Sequence, residues 1–135
     1  MNPDTDKSLD QIEKLIQEYL TSDLFLLPGR PSIRDDYSEG EGFGIVFIEA
    51  GYFGIPSIGG SGDGAGEAIL NGVTGLLVEG NDLRSIKNGI EKLILNIDLR
   101  TEMSIAARKH ALQNHSFEMF NTDLLKAIEV AHHLQ

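Results

Sequence analysis

Two glutamates, Glu41 and Glu49, bracket the segment EGFGIVFIE. Between them lie mostly apolar residues, with Gly42, Phe43 and Gly44 directly after the first carboxylate. Eight positions along a helix advance about 800°, or about 80° net. On a helix starting near Gly42, both carboxylates would therefore share one broad side without stacking. Glu41 would stand at the helix mouth, where the dipole stabilises negative charge. Glu49 would sit two turns further on among Val46, Ile48, Ala50 and Phe53. A carboxylate in such surroundings must be exposed, paired or bound to a ligand hydroxyl. A solvated helix edge explains Glu49 equally well when it is taken alone.

A second candidate is glycine-rich: Gly59-Gly60-Ser61-Gly62-Asp63-Gly64-Ala65-Gly66, followed by Glu67. The first glycine run, Gly40-Glu41-Gly42-Phe43-Gly44, has the same form. Each follows a short apolar run and leads into a helical pattern. Glycine lets a backbone approach a ligand closely, and free amides at a helix start favour an anion. Either loop alone reads as a tight turn. Side by side they suggest a phosphate-bearing ligand. No G-x-x-x-x-G-K-[ST] occurs, and neither loop gives G-x-G-x-x-G in register, so a P-loop and a dinucleotide fingerprint are not supported.

The elements that would position these groups alternate. Ser8-Leu9-Asp10-Gln11 is a capping box, so a helix starts at Ser8 after a frayed residue 1–7 segment. Its apolar face comprises Leu9, Ile12, Leu15, Ile16 and Tyr19. Asp23–Leu27 reads as a buried strand ended by Pro28-Gly29, and residues 29–41 as a polar loop. Phe43–Phe53 reads as a buried helix closed by Gly54. Ile55–Ile58 is a second strand, a short helix through Ile69 and Leu70 follows, and Gly75–Val78 is a third strand. From Asn81 the pattern is helical, with stripes Leu83/Ile86/Ile90/Leu93, then Leu99/Met103/Ala106, then Phe117/Phe120/Leu124/Ile128/Ala131. The order predicts an α/β domain spanning residues 1–135: a partial Rossmann-like parallel sheet of about three strands with flanking helices. Residues 8–80 form the alternating region that carries the site, and residues 81–135 the helical region. So few parallel strands imply part of a larger sheet, or one completed by a partner.

Composition removes other classes. The 135 residues carry 21 acidic against 11 basic side chains, net −10, which disfavours nucleic-acid binding. The same balance gives no help at an anionic membrane, and no apolar run approaches the length of a membrane helix. The absence of cysteine excludes thiolate metal sites and is compatible with a cytoplasmic protein. His110, His115, His132 and His133 show no metal-ligand spacing, and Asp4-Thr5-Asp6 has no strand before it.

EGFGIVFIE resembles the E-x7-E motif of the family 4 glycosyltransferases, retaining enzymes of the two-domain GT-B fold. Glu49-Ala-Gly-Tyr-Phe-Gly-Ile-Pro56 is similar to the family's E-A-x-A-x-G-x-P. The stretch Gly64 to Val78 is similar to G-G-x-x-E-x-I-x-x-G-x-x-G-x-L-V, and His115-Ser116-Phe117 to the F-S-W closing helix. The match covers roughly residues 8–130 and corresponds to the second half of a GT-B C-terminal domain. The resemblance implies a nucleotide-sugar donor lying along these loops. Glu41 would be the catalytic-site carboxylate near the anomeric centre. The amides of Gly42, Phe43 and Gly44 would lie near the sugar and diphosphate, and Glu49 would hold the ribose hydroxyls. Gly64, Gly66 and Glu67 would line the nucleotide side. The leaving diphosphate would be stabilised by helix dipoles and donors, without a metal or other cofactor. The family's basic residues that hold the diphosphate have no counterpart here, and Arg30 and Arg34 do not match those positions. The resemblance therefore implies a donor-binding portion that is inactive without an N-terminal acceptor domain. The alternative is a non-catalytic nucleotide-binding or assembly module. An open first strand would invite self-association unless a terminal helix covers it.

Overall fold

The computed structural model describes residues 3–29, 44–62 and 64–114. The chain divides into two compact units: residues 23–114 form one, and the first helix belongs to the other. That helix, α1 (Pro3–Thr21), starts ahead of the Ser8 capping box, so residues 3–7, expected to fray, are helical. Of its expected apolar face, Ile16 and Tyr19 are buried and Ile12 is half-buried, whereas Leu9 and Leu15 are exposed. The buried stripe is thus narrower than the apolar pattern.

The larger unit runs β1 (Phe25–Leu27), α2 (Ile45–Tyr52), β2 (Ser57–Gly60), α3 (Ala65–Ala68), β3 (Gly75–Val78), α4 (Leu83–Leu95) and α5 (Ile97–Asn114). The strands form one parallel sheet in the order β1-β2-β3, with Leu26, Ile58 and Leu76 in line. Helices flank it, giving the α/β architecture that the alternation predicts. On one face, Ile58, Leu76 and Val78 pack with Leu93 of α4 and Met103 of α5. Leu24, Ile86, Ile90 and Leu99 close around this cluster.

Successive strand residues point to opposite faces, so Gly59 meets the other helices. A Cβ there would come within 2.7 Å of the Ala65 Cβ and 2.9 Å of the Ile69 Cδ1. Phe25 and Phe47 meet edge to face, ring centroids 5.6 Å apart, which seats α2 beside β1. Gly51 lets α2 approach α5: a Cβ there would lie 3.1 Å from the Ala107 carbonyl oxygen.

Several boundaries move from expectation. β2 covers Ser57–Gly60 rather than Ile55–Ile58. Glycine is depleted in strands, so Gly59 and Gly60 read as loop, but the close approach of α3 requires the missing side chain. α2 begins at Ile45, not near Gly42, and Phe53 caps it with Gly54 at φ 68°. α3 ends at Ala68, because Ile69 is already extended at φ −109°, ψ 120°. Leu83, expected in the core stripe of α4, is 83% exposed. It opens the helix, and helical side chains lean back toward the N-terminus, off the packed turns. In α5 the buried positions are Met103, Ala107 and Ala111, with Ala106 only half-buried. The third helical stripe, Phe117 to Ala131, lies outside the described residues.

The two edges of the sheet differ. On β3 the turn before the strand folds back along its outer side. The Leu77 amide donates to Asn71 Oδ1 at 3.0 Å, and the Gly72 amide donates to the Gly75 carbonyl at 2.8 Å. On β1, Leu26 and Leu27 are each 44% exposed.

Candidate active site at the strand ends

In a parallel sheet the strand carboxyl ends, and the amino ends of the helices that follow, lie on one side. Here that side presents Pro28-Gly29 after β1, Ser61-Gly62 after β2 and Glu79-Gly80 after β3. Hydrogen bonds join the turns after β2 and β3, and a close backbone approach brings the turn after β1 into the same rim. The Ser61 amide donates to the Val78 carbonyl at 2.8 Å, and Ser61 Oγ donates to Glu79 Oε1 at 3.0 Å. The Glu79 amide in turn donates to Ser85 Oγ at 3.0 Å, which fixes the start of α4. Gly80 runs so close to Gly29 that a Cβ would come within 1.9 Å of the Gly29 carbonyl oxygen.

The first glycine junction enters α2 through Gly44. Its backbone is left-handed, φ 53° and ψ 50°, which disfavours any residue with a side chain. A Cβ there would also fall 2.5 Å from Phe47 Cδ2. As a glycine it brings no side-chain oxygen to cap the first-turn amides. Those amides are the kind of donors an anion takes up.

Within α2, Phe47, Ile48, Ala50 and Gly51 turn inward. Ile45, Glu49 and Tyr52, spaced by three and four, occupy the opposite side. Glu49 is half-buried there and Ile45 is 46% exposed. Burial pushes the Tyr52 phenol pKa above its ordinary value. The carboxylate of Glu49 therefore sits at the margin of an apolar helix, not inside its packed face.

The second junction gives the one-turn helix α3, with Gly64 at its N-cap and the exposed Glu67 in its first turn. Four residues add backbone donors but little macrodipole, less than the longer helix expected here. Gly66 contrasts with Gly44 and Gly59: among the described residues a Cβ there would touch only Leu77 Cδ1, at a comfortable 3.9 Å. None of the described residues requires glycine at that position. The junctions are neighbours, since a Cβ at Gly44 would lie 3.7 Å from the Ala68 Cβ. The structure thus brings Gly44 and α3 together and sets Glu49 on the outward side of the helix that Gly44 starts. Glu41, Gly42 and Phe43 lie outside the described residues.

Sequence reasoning missed the Ser61–Glu79 pair and the Gly29–Gly80 contact. A glycine two residues past the end of each of two strands, Gly29 after β1 and Gly80 after β3, was the available signal, because it permits such crossings.

The fold and this rim define an α/β domain of the kind that takes ligands beyond the carboxyl ends of its strands. The chain belongs to the glycosyl transferases group 1 family, whose model matches residues 7–110. It is 34% identical over 102 residues to the GDP-mannose-dependent alpha-(1-6)-phosphatidylinositol monomannoside mannosyltransferase of Mycolicibacterium smegmatis, covering 76% of this chain and 26% of that one. The chain thus spans about a quarter of the length of that curated relative. Among solved structures, the C-terminal domain of the Francisella tularensis glycosyl transferase group 1 protein LpcC superposes with a TM-score of 0.64 at 18% identity. That match covers 77% of this chain and 49% of the domain. Anabaena Alr3699/HepE, solved in complex with UDP and glucose, gives a TM-score of 0.62 at 21% identity, covering 87% of this chain and 28% of that one. These likenesses establish the GT-B type of fold. No helix among the described residues is long and apolar enough to cross a membrane.

Proposed function

We propose that this chain supplies the nucleotide-sugar side of a retaining glycosyltransferase. The observation that carries the reading is the adjacency of the two glycine junctions at the strand ends, with Glu49 on the outward side of α2. The donor diphosphate lies against the amides of Gly42, Phe43 and Gly44, in the stretch that precedes α2 in the sequence. Glu49 accepts hydrogen bonds from the ribose hydroxyls, and Glu41 stands beside the donor sugar. Gly64, Gly66 and Glu67 line the nucleotide. Amides aimed at the leaving diphosphate stabilise its developing charge in the transition state. The GDP-mannose dependence of the Mycolicibacterium smegmatis relative and the UDP and glucose held by Anabaena Alr3699/HepE support a GDP- or UDP-linked donor. Sugar transfer then requires an acceptor-binding domain on the other side of the donor. A cytoplasmic setting belongs to the same proposal.

The test is calorimetric titration of GDP, UDP and their sugars, paired with Glu49→Ala. A charged hydrogen-bond partner contributes roughly 1.5–3 kcal/mol, so the variant weakens nucleotide binding about 10- to 100-fold. Unchanged affinity would remove the ribose assignment. Transfer assayed with and without an added acceptor-binding domain decides whether the chain is active alone.

A second reading, an assembly role, rests on the two exposed leucines of β1, Leu26 and Leu27. It predicts a concentration-dependent dimer in light scattering. A strict monomer at all concentrations would count against it.

A further inference from the structure

Ser57 of β2 is 2% exposed, and its hydroxyl oxygen has no hydrogen-bond partner among the described residues. A buried hydroxyl in that condition is costly, and natural proteins rarely leave one so. The side chain borders a small cavity, walled by Ile48 and Gly51 of α2, Ile69, Thr74, and Ala107 and His110 of α5. The space open to the centre of a water-sized sphere is about 10 Å³. That is close to the least volume that holds one water, and it leaves no room for anything larger.

The walls also carry the right partners. Thr74 is 5% exposed, and its Oγ1 already accepts from the Leu70 amide at 2.9 Å, which leaves its hydroxyl proton to give. His110 Nε2 is buried as well. Buried waters make about three hydrogen bonds to such groups.

We propose that this cavity is a binding site for one long-lived water molecule, anchored on Ser57 Oγ and reaching Thr74 and His110. The water ties β2 to α5 behind α2, the helix that carries Glu49. It is a polar joint inside an otherwise apolar layer, and it stands independently of the donor-binding reading.

Two measurements on the full chain test it. A crystal structure at a resolution that shows ordered solvent should reveal one density peak within hydrogen-bond distance of Ser57 Oγ. Thermal unfolding of Ser57→Ala should then show a lowered Tm, by roughly 3–8 °C, because the water loses its anchor. A cavity with no peak overturns the proposal whatever the variant does. A peak together with an unchanged or raised Tm in Ser57→Ala overturns the anchoring role of Ser57. The alanine variant leaves the backbone free to fold, since it only removes a hydroxyl.

Discussion

At the residue scale, the glycines of the candidate site divide by what demands them. Gly44 answers to a left-handed backbone and to Phe47. Gly59 answers to Ala65 and Ile69 pressing on β2. Gly66 answers to none of the described residues, the nearest of them to a Cβ being 3.9 Å away. Two substitutions should therefore separate. Gly59→Ala forces a methyl into the Ala65 and Ile69 side chains and costs about 1–3 kcal/mol of stability, read as a lowered Tm. Gly66→Ala leaves Tm within about 2 °C and, on the proposed function, instead weakens nucleotide binding, because a methyl would stand where the proposed ligand comes close. If Gly66→Ala changed neither, the second glycine junction would have no part in binding. The spacing of Glu41 and Glu49 was legible from the chain alone. The Ser61–Glu79 pair was not, since the two residues meet only when β2 and β3 lie side by side.

At the scale of elements, the alternation of apolar runs and turn residues gave three strands, and β3 falls on its expected residues, Gly75–Val78. The misplacements share a cause. Local propensity treats Gly59 and Gly60 as loop and Leu83 as core, whereas packing decides both. A strand pressed by two helices needs a residue without a side chain, and the first residue of a helix has no preceding turn to cover. α4 holds to the sheet through Gly89 and Leu93 and is capped by Asp82, whose carboxylate accepts from the Arg84 amide at 2.9 Å. Leu93 is fully buried against Ile58 and Met103. Leu93→Ala should therefore cost about 2–5 kcal/mol, seen as a lower urea midpoint. A cost below about 1 kcal/mol would mean that α4 is not integral to the sheet's packing.

At the scale of the whole molecule, the described residues form a three-stranded parallel sheet whose β3 edge is flanked by its own turn and whose β1 strand has Leu26 and Leu27 exposed. The chain also spans 49% of a solved C-terminal domain of its family. Composition and alternation made the fold class readable, and the E-x7-E resemblance made the family readable. Neither conveyed that the turns after all three strands interlock into one rim, because each supplies only one or two residues to it. The central claim is that a nucleoside diphosphate lies on this rim. The most direct measurement is a backbone amide NMR titration of the chain with GDP and, separately, UDP. The account predicts saturable shifts at Gly44 to Glu49, Ser61 to Glu67 and Glu79 to Gly80, with α4 and the outer side of α5 silent. No saturable shift with either nucleotide, or shifts centred on Ile105 and Leu112 of α5, would contradict it.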